Sequence, residues 1–85
     1  MASKGRILVV DDDLDIQFML KFYFTGVGYD VETADHGKEA IAMARRQPHS
    51  LIILDIMLPD MDGFDVCREL RMNNRTKYIP VIFLT

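Results

Sequence analysis

The chain is 85 residues long, 49% hydrophobic and 27% charged, with both signs mixed along its length and a formal net charge of −3. A chain of this length supports one core, so it is one domain or part of one, with the composition of a folded protein and not of a disordered tail. The acidic balance leaves no basic field for nucleic acid or an anionic membrane, and no apolar run reaches the ~18 residues of a membrane span.

The opening MASKGRILVVDDD has neither the long apolar region nor the cleavage site of a signal peptide, so the expected compartment is the cytoplasm. Arg6–Val10 (RILVV) is apolar after its first residue and rich in β-branched side chains, which predicts a strand covered on both faces of a parallel sheet. It runs straight into Asp11, Asp12 and Asp13. Asp13 directly precedes a helical pattern and is expected to cap it. Residues 14–25 carry Ile16, Met19, Leu20, Tyr23 and Phe24 at helical spacing, with Phe18 and Phe22 off that face, and Gly26 or Gly28 supplies the left-handed stop. From Tyr29, YDVETA alternates Tyr29, Val31 and Thr33 against Asp30 and Glu32, as an edge strand does.

A second helix is expected after Asp35, read as its N-cap, with Ala40, Ile41 and Ala44 facing inward and Pro48 ending it. Residues 51–54 (LIIL) read as the third strand. A third helix, capped by Asp62, is expected to bury Phe64, Cys67 and Leu70. The polar RMNNRTKY from Arg71 reads as a loop, and Val81–Leu84 (VIFL) as the fourth strand. The order βαβαβαβ implies parallel pairing through right-handed crossovers, with helices on both faces of an open sheet. One domain fills the chain.

Each fully apolar strand ends in a polar group: Asp11 and Asp12 after the first, Asp55 after the third and Thr85 after the fourth. Ligands of open parallel sheets bind outside the carboxyl ends of the strands, so these groups are expected to share one crevice. Carboxylates that crowd together cannot all stay ionised without a cation. Magnesium accepts one or two carboxylates with water and a phosphate oxygen, and a carboxylate beside it can attack phosphorus. Capping accounts for Asp13, but three acids at two strand ends exceed what capping requires. The single Cys67 lacks the partners of a disulfide or zinc site, and His36 and His49 read as surface residues.

At these residues the chain resembles the receiver domain of two-component response regulators. The matching pieces are ILVVDDD, LIILDIMLPDMDGFDVCREL with its D-x-x-[ML]-P-x-M-D-G run, and IPVIFLT. The resemblance implies an open parallel sheet of flavodoxin-like type, with residues 1–85 forming the N-terminal part of a receiver that lacks the last helix, strand and helix. It implies that Asp55 is the phosphoacceptor, served by the histidine of a sensor kinase. It further implies that Asp12, Asp55 and the backbone carbonyl of Met57 bind Mg²⁺ directly and Asp11 through water, and that Thr85 is the switch hydroxyl. The signal would pass to an attached or separate output domain, and such a module is not an enzyme. The family's phosphoryl-pairing lysine has no match here, since Lys77 lies before the fourth strand. The Met57 side chain is expected near the path of water to an aspartyl phosphate, where an apolar group would slow hydrolysis, or else packed on the loop.

Two other readings compete. A magnesium-dependent aspartyl phosphohydrolase, similar to the haloacid dehalogenase group, needs an acid two positions past the nucleophile, where this chain has Met57. An inert, self-associating fragment follows from two uncovered surfaces, the edge of the fourth strand and the apolar flank of the first helix, which predict a homodimer through either.

Overall fold

The computed structural model describes residues 2–84. Strands and helices alternate as β1 (Arg6–Val10), α1 (Leu14–Gly26), β2 (Asp30–Ala34), α2 (Gly37–Arg46), β3 (Leu51–Asp55), α3 (Gly63–Arg71) and β4 (Val81–Leu84). All strand pairs are parallel and the order is β2-β1-β3-β4. The chain therefore steps outward from β1 to β2, then returns across β1 to β3. That reversal opens a crevice at the carboxyl ends of β1 and β3. The register makes the crevice level: Val10 lies beside both Ala34 and Leu54, and Leu54 beside Phe83.

Alternation within the buried strands divides the core in two. Leu8, Val10, Ile52 and Leu54 face α2 and α3, meeting Ala40, Ile41, Ala44, Val66 and Leu70. Ile7, Val9 and Ile53 face the other way, towards Leu20 and Phe24 of α1. The expected strands, the edge position of β2 and the inner face of α2 are all present.

Four local expectations need correction. In α1, Met19 and Tyr23 are 59% and 60% exposed and no residue is fully buried. A single helix on a sheet touches along one narrow ridge, here Leu20 and Phe24 at i and i+4, with Ile16 half-buried one turn before them. Phe18 and Phe22 point away from the sheet and stack on each other with centroids 6.3 Å apart. In α3 the inner face is Gly63, Val66 and Leu70: Leu70 is buried as expected, while Gly63 and Val66 take the places expected for Phe64 and Cys67. Phe64 stays half exposed against Phe83, and Cys67 is only partly buried.

At α2 the N-cap position belongs to His36, which makes no capping bond with its side chain. The Asp35 carboxylate is turned instead to His36 Nδ1, at 2.8 Å. His49, read as a surface residue, is buried: its imidazole is shut off from solvent and Nε2 lies 2.8 Å from Glu32 Oε1. A carboxylate reaching in from β2 lets a polar ring enter the core.

The stop after α1 falls on Gly28, at φ +107°, a conformation costly for any side chain. The polar segment after α3 is more ordered than its composition implies. Thr76 is fully buried and its hydroxyl donates to the Leu70 carbonyl at 2.6 Å, while the Arg71 guanidinium donates to the carbonyls of Lys77 and Ile79. No helix among the described residues is long and apolar enough to cross a membrane.

Candidate functional site

The apolar strands β1 and β3 end at the same level, and the first polar side chains beyond each are forced together. One carboxylate oxygen from each of Asp11, Asp12 and Asp55 lies within 4.8 Å of the others. Asp11 is buried, Asp55 half-buried and Asp12 exposed. Asp11 is fixed from two sides. Its backbone N–H donates to the Ala34 carbonyl at 3.0 Å, and its Oδ1 accepts the Asp13 N–H at 2.9 Å. Asp13 turns the other way and accepts the N–H groups of Asp15 and Ile16, capping α1 as expected.

Burial pushes the Asp11 carboxyl above its ordinary range; the Asp13 N–H opposes this, and the negative charges of Asp55 and Asp12 reinforce it. The ion pairs among the described residues join His36 to Asp35, His49 to Glu32 and Arg68 to Asp65, so none neutralises these acids. A crowded, all-oxygen, partly open donor set with no ion-pair partner among the described residues fits a hard divalent ion such as Mg²⁺.

The loop leaving Asp55 is tightly tied. Asp55 Oδ1 accepts the Met57 N–H at 3.1 Å, and the Gly63 N–H donates to the Ile56 carbonyl at 2.6 Å. Met57 and Asp62 form an isolated antiparallel bridge. A side chain at position 63 would begin 2.5 Å from the Asp55 carbonyl oxygen, so only glycine fits. The Met57 side chain is 79% exposed and neither buried in the loop nor part of the core. Thr85 lies outside the described residues.

Sequence reasoning missed Asp60. Its two carboxylate oxygens accept the backbone N–H groups of Gly37 and Lys38 at 2.7 and 2.9 Å, which holds its carboxyl below the usual range. This is a capping interaction made from 23 positions away, which no local motif signals. Asp35, His36 and Glu39 also bring donor atoms within 4.8 Å of each other, but these groups serve the entry to α2, where Glu39 accepts the Asp35 N–H.

A family model described as "Response regulator receiver domain" matches residues 7–85. The chain belongs to the receiver family of two-component response regulators. Among curated proteins, this receiver is 44% identical over 83 residues to "Probable transcriptional regulator ycf27" of Porphyra purpurea, covering 98% of this chain and 33% of that protein. It is 46% identical over 81 residues to "Response regulator PleD" of Caulobacter vibrioides (strain NA1000 / CB15N), covering 95% of this chain and 18% of that one. The receiver thus spans about a third or less of these relatives. Among solved structures, the N-terminal domain of a response regulator receiver protein from Methanoculleus marisnigri JR1 superposes with a TM-score of 0.92 at 35% identity, covering 98% of this chain and 68% of that one. The receiver domain of sensor histidine kinase PA1611 from Pseudomonas aeruginosa PAO1, described with a magnesium ion coordinated in the active site cleft, superposes with a TM-score of 0.91 at 32% identity, covering 95% and 66%. The flavodoxin-like receiver fold expected from the motifs is the fold of this chain.

Proposed function

We propose that this receiver accepts a phosphoryl group on Asp55 from a phosphohistidine of a sensor kinase. Asp12, Asp55 and the Met57 carbonyl would hold Mg²⁺ directly, with Asp11 acting through water. The observation that carries the reading is the meeting of three carboxylates, without an ion-pair partner among the described residues, within 4.8 Å at the ends of β1 and β3. In the transfer, a bond forms between an Asp55 carboxylate oxygen and phosphorus as the bond from phosphorus to the histidine nitrogen breaks, its electron pair returning to the ring. The ion, when bound, neutralises charge on the phosphoryl oxygens. Asp55 is positioned for attack by the Met57 N–H on Oδ1, which leaves its other oxygen free of protein donors among the described residues. Asp11 is held rigid, so it contributes charge without moving.

The test is incubation with acetyl phosphate and Mg²⁺ followed by intact mass measurement. One added phosphoryl group, absent in Asp55→Asn and without added Mg²⁺, is the expected result. An unmodified chain, or an adduct that survives Asp55→Asn, overturns the assignment. An attached or separate output element would read the modified state, in the cytoplasm where such a kinase presents its phosphohistidine. The Thr85 hydroxyl is proposed as the group that answers phosphorylation.

Self-association of this chain is a second reading with its own support. Phe18 and Phe22 are 72% and 75% exposed, and Ile82 is half exposed on the sheet face that only α1 covers. A homodimer through α1 or the β4 edge would bury these groups. Sedimentation at micromolar concentration tests it: a dimer abolished by Phe18→Asp or by Ile82→Lys supports the reading, and a monomer removes it.

A further inference from the structure

The loop between β3 and α3 touches two things at once. At its start stands Asp55 with the Met57 carbonyl; at its middle Asp60 grips the first turn of α2. The loop is also internally braced, by the Met57–Asp62 bridge and by the Gly63 N–H on the Ile56 carbonyl. A short segment braced in this way shifts as a unit.

The contact with α2 is close as well as polar. A side chain at position 37 would collide with Met61 Cγ and lie 2.8 Å from its Sδ, so the α2 backbone rests directly on the loop. The N-cap residue His36 supplies no side-chain bond to this helix end. Asp60 therefore provides the side-chain cap that α2 otherwise lacks, and the helix end in turn fixes Asp60.

We propose that Asp60 is a positioning residue that couples the metal-binding rim to the first turn of α2, by setting the loop geometry that presents the Met57 carbonyl. The inference rests on the reading that an ion sits at Asp12, Asp55 and Met57. Coupling of this kind is reciprocal. If the grip on Gly37 and Lys38 improves the fit for the ion, then the ion must tighten that grip by the same factor.

The experiment is a Mg²⁺ titration followed by NMR, with amide hydrogen exchange measured at Gly37 and Lys38. In the unsubstituted chain, saturating Mg²⁺ should slow exchange at these two amides by about 5-fold more than at the far end of α2. Asp60→Ala should weaken Mg²⁺ binding by a similar factor and make the two amides indifferent to the ion. Asp60→Asn, which keeps one acceptor oxygen, should recover part of both effects. Asp65→Ala serves as the control, because the Asp65 carboxylate pairs with Arg68 on the exposed side of α3, away from α2, and it should leave the Gly37 and Lys38 response intact. Mg²⁺ binding with unchanged exchange at Gly37 and Lys38 overturns the coupling while leaving the site reading standing. Failure of the unsubstituted chain to bind Mg²⁺ overturns the site reading, and the coupling falls with it.

Discussion

His49 Nε2 and Glu32 Oε1 lie 2.8 Å apart, joining the segment before β3 to the edge strand β2 through a wholly buried imidazole. The other ring nitrogen, Nδ1, has no hydrogen-bond partner among the described residues. Among the described residues, Glu32 is thus the sole side-chain partner of a polar ring in the core. Glu32→Ala should cost about 1–3 kcal/mol, since it leaves the ring unsatisfied, whereas Glu32→Gln keeps an acceptor and should cost less. Urea unfolding midpoints compare the two; equal values would show that the pair is energetically idle.

Asp11 predicts a stability change of opposite sign. Its carboxyl is pushed up in the folded chain, so the folded state binds more protons than the unfolded one as pH falls towards the ordinary value of 3.8. The penalty is fully present above the raised pKa and is relieved as pH drops through it. Without divalent ions at neutral pH, Asp11→Asn should therefore raise Tm, by about 4–8 °C for each kcal/mol gained. With saturating Mg²⁺ the advantage should shrink or reverse, because the acid helps to hold the ion. Thermal melts with and without Mg²⁺ check both halves.

Two glycines differ in what surrounds them. At Gly63 an added methyl meets backbone, 2.5 Å from the Asp55 carbonyl oxygen and 3.0 Å from Ile56 Cα. Gly63→Ala should cost roughly 2–3 kcal/mol and disturb Asp55. At Gly37 the obstacles are side chains and not backbone: Met61, with Sδ at 2.8 Å, and Val66 Cγ2 at 2.9 Å. Gly37→Ala should cost less, and Met61→Ala should restore part of the loss. Denaturant curves for the three variants test the ordering.

Thr76 offers a compact test of the segment after α3. Its buried hydroxyl satisfies the Leu70 carbonyl near the end of that helix. Thr76→Val keeps the shape but removes the donor, at an expected cost of about 1–2 kcal/mol. Thr76→Ser should fall between the two in urea stability.

The strands were readable because their apolar runs are short, β-branched and bounded by polar groups, and because burial on both faces demands such runs. The meeting of Asp11, Asp12 and Asp55 was readable for a topological reason: a right-handed βαβ path leaves little freedom in where strand ends arrive. What escaped were interactions set by the phase of a helix or by distant partners. Phe64 and Val66 are both apolar, and only the approach angle of α3 decides that Val66 faces the core. Asp60 and His49 resemble ordinary polar loop residues until the fold brings Gly37 and Glu32 beside them.

The unequal covering of the sheet has a thermal consequence. The layer of α2 and α3 places several side chains wholly out of solvent, while α1 places none there. On warming, α1 should peel first, and its amides should exchange while those of β1 and β3 remain closed. Asp11, Asp12 and Asp13 stand at the root of that helix. An ion seated between Asp11, Asp12 and Asp55 would act as a clasp on the loosest flap of the molecule.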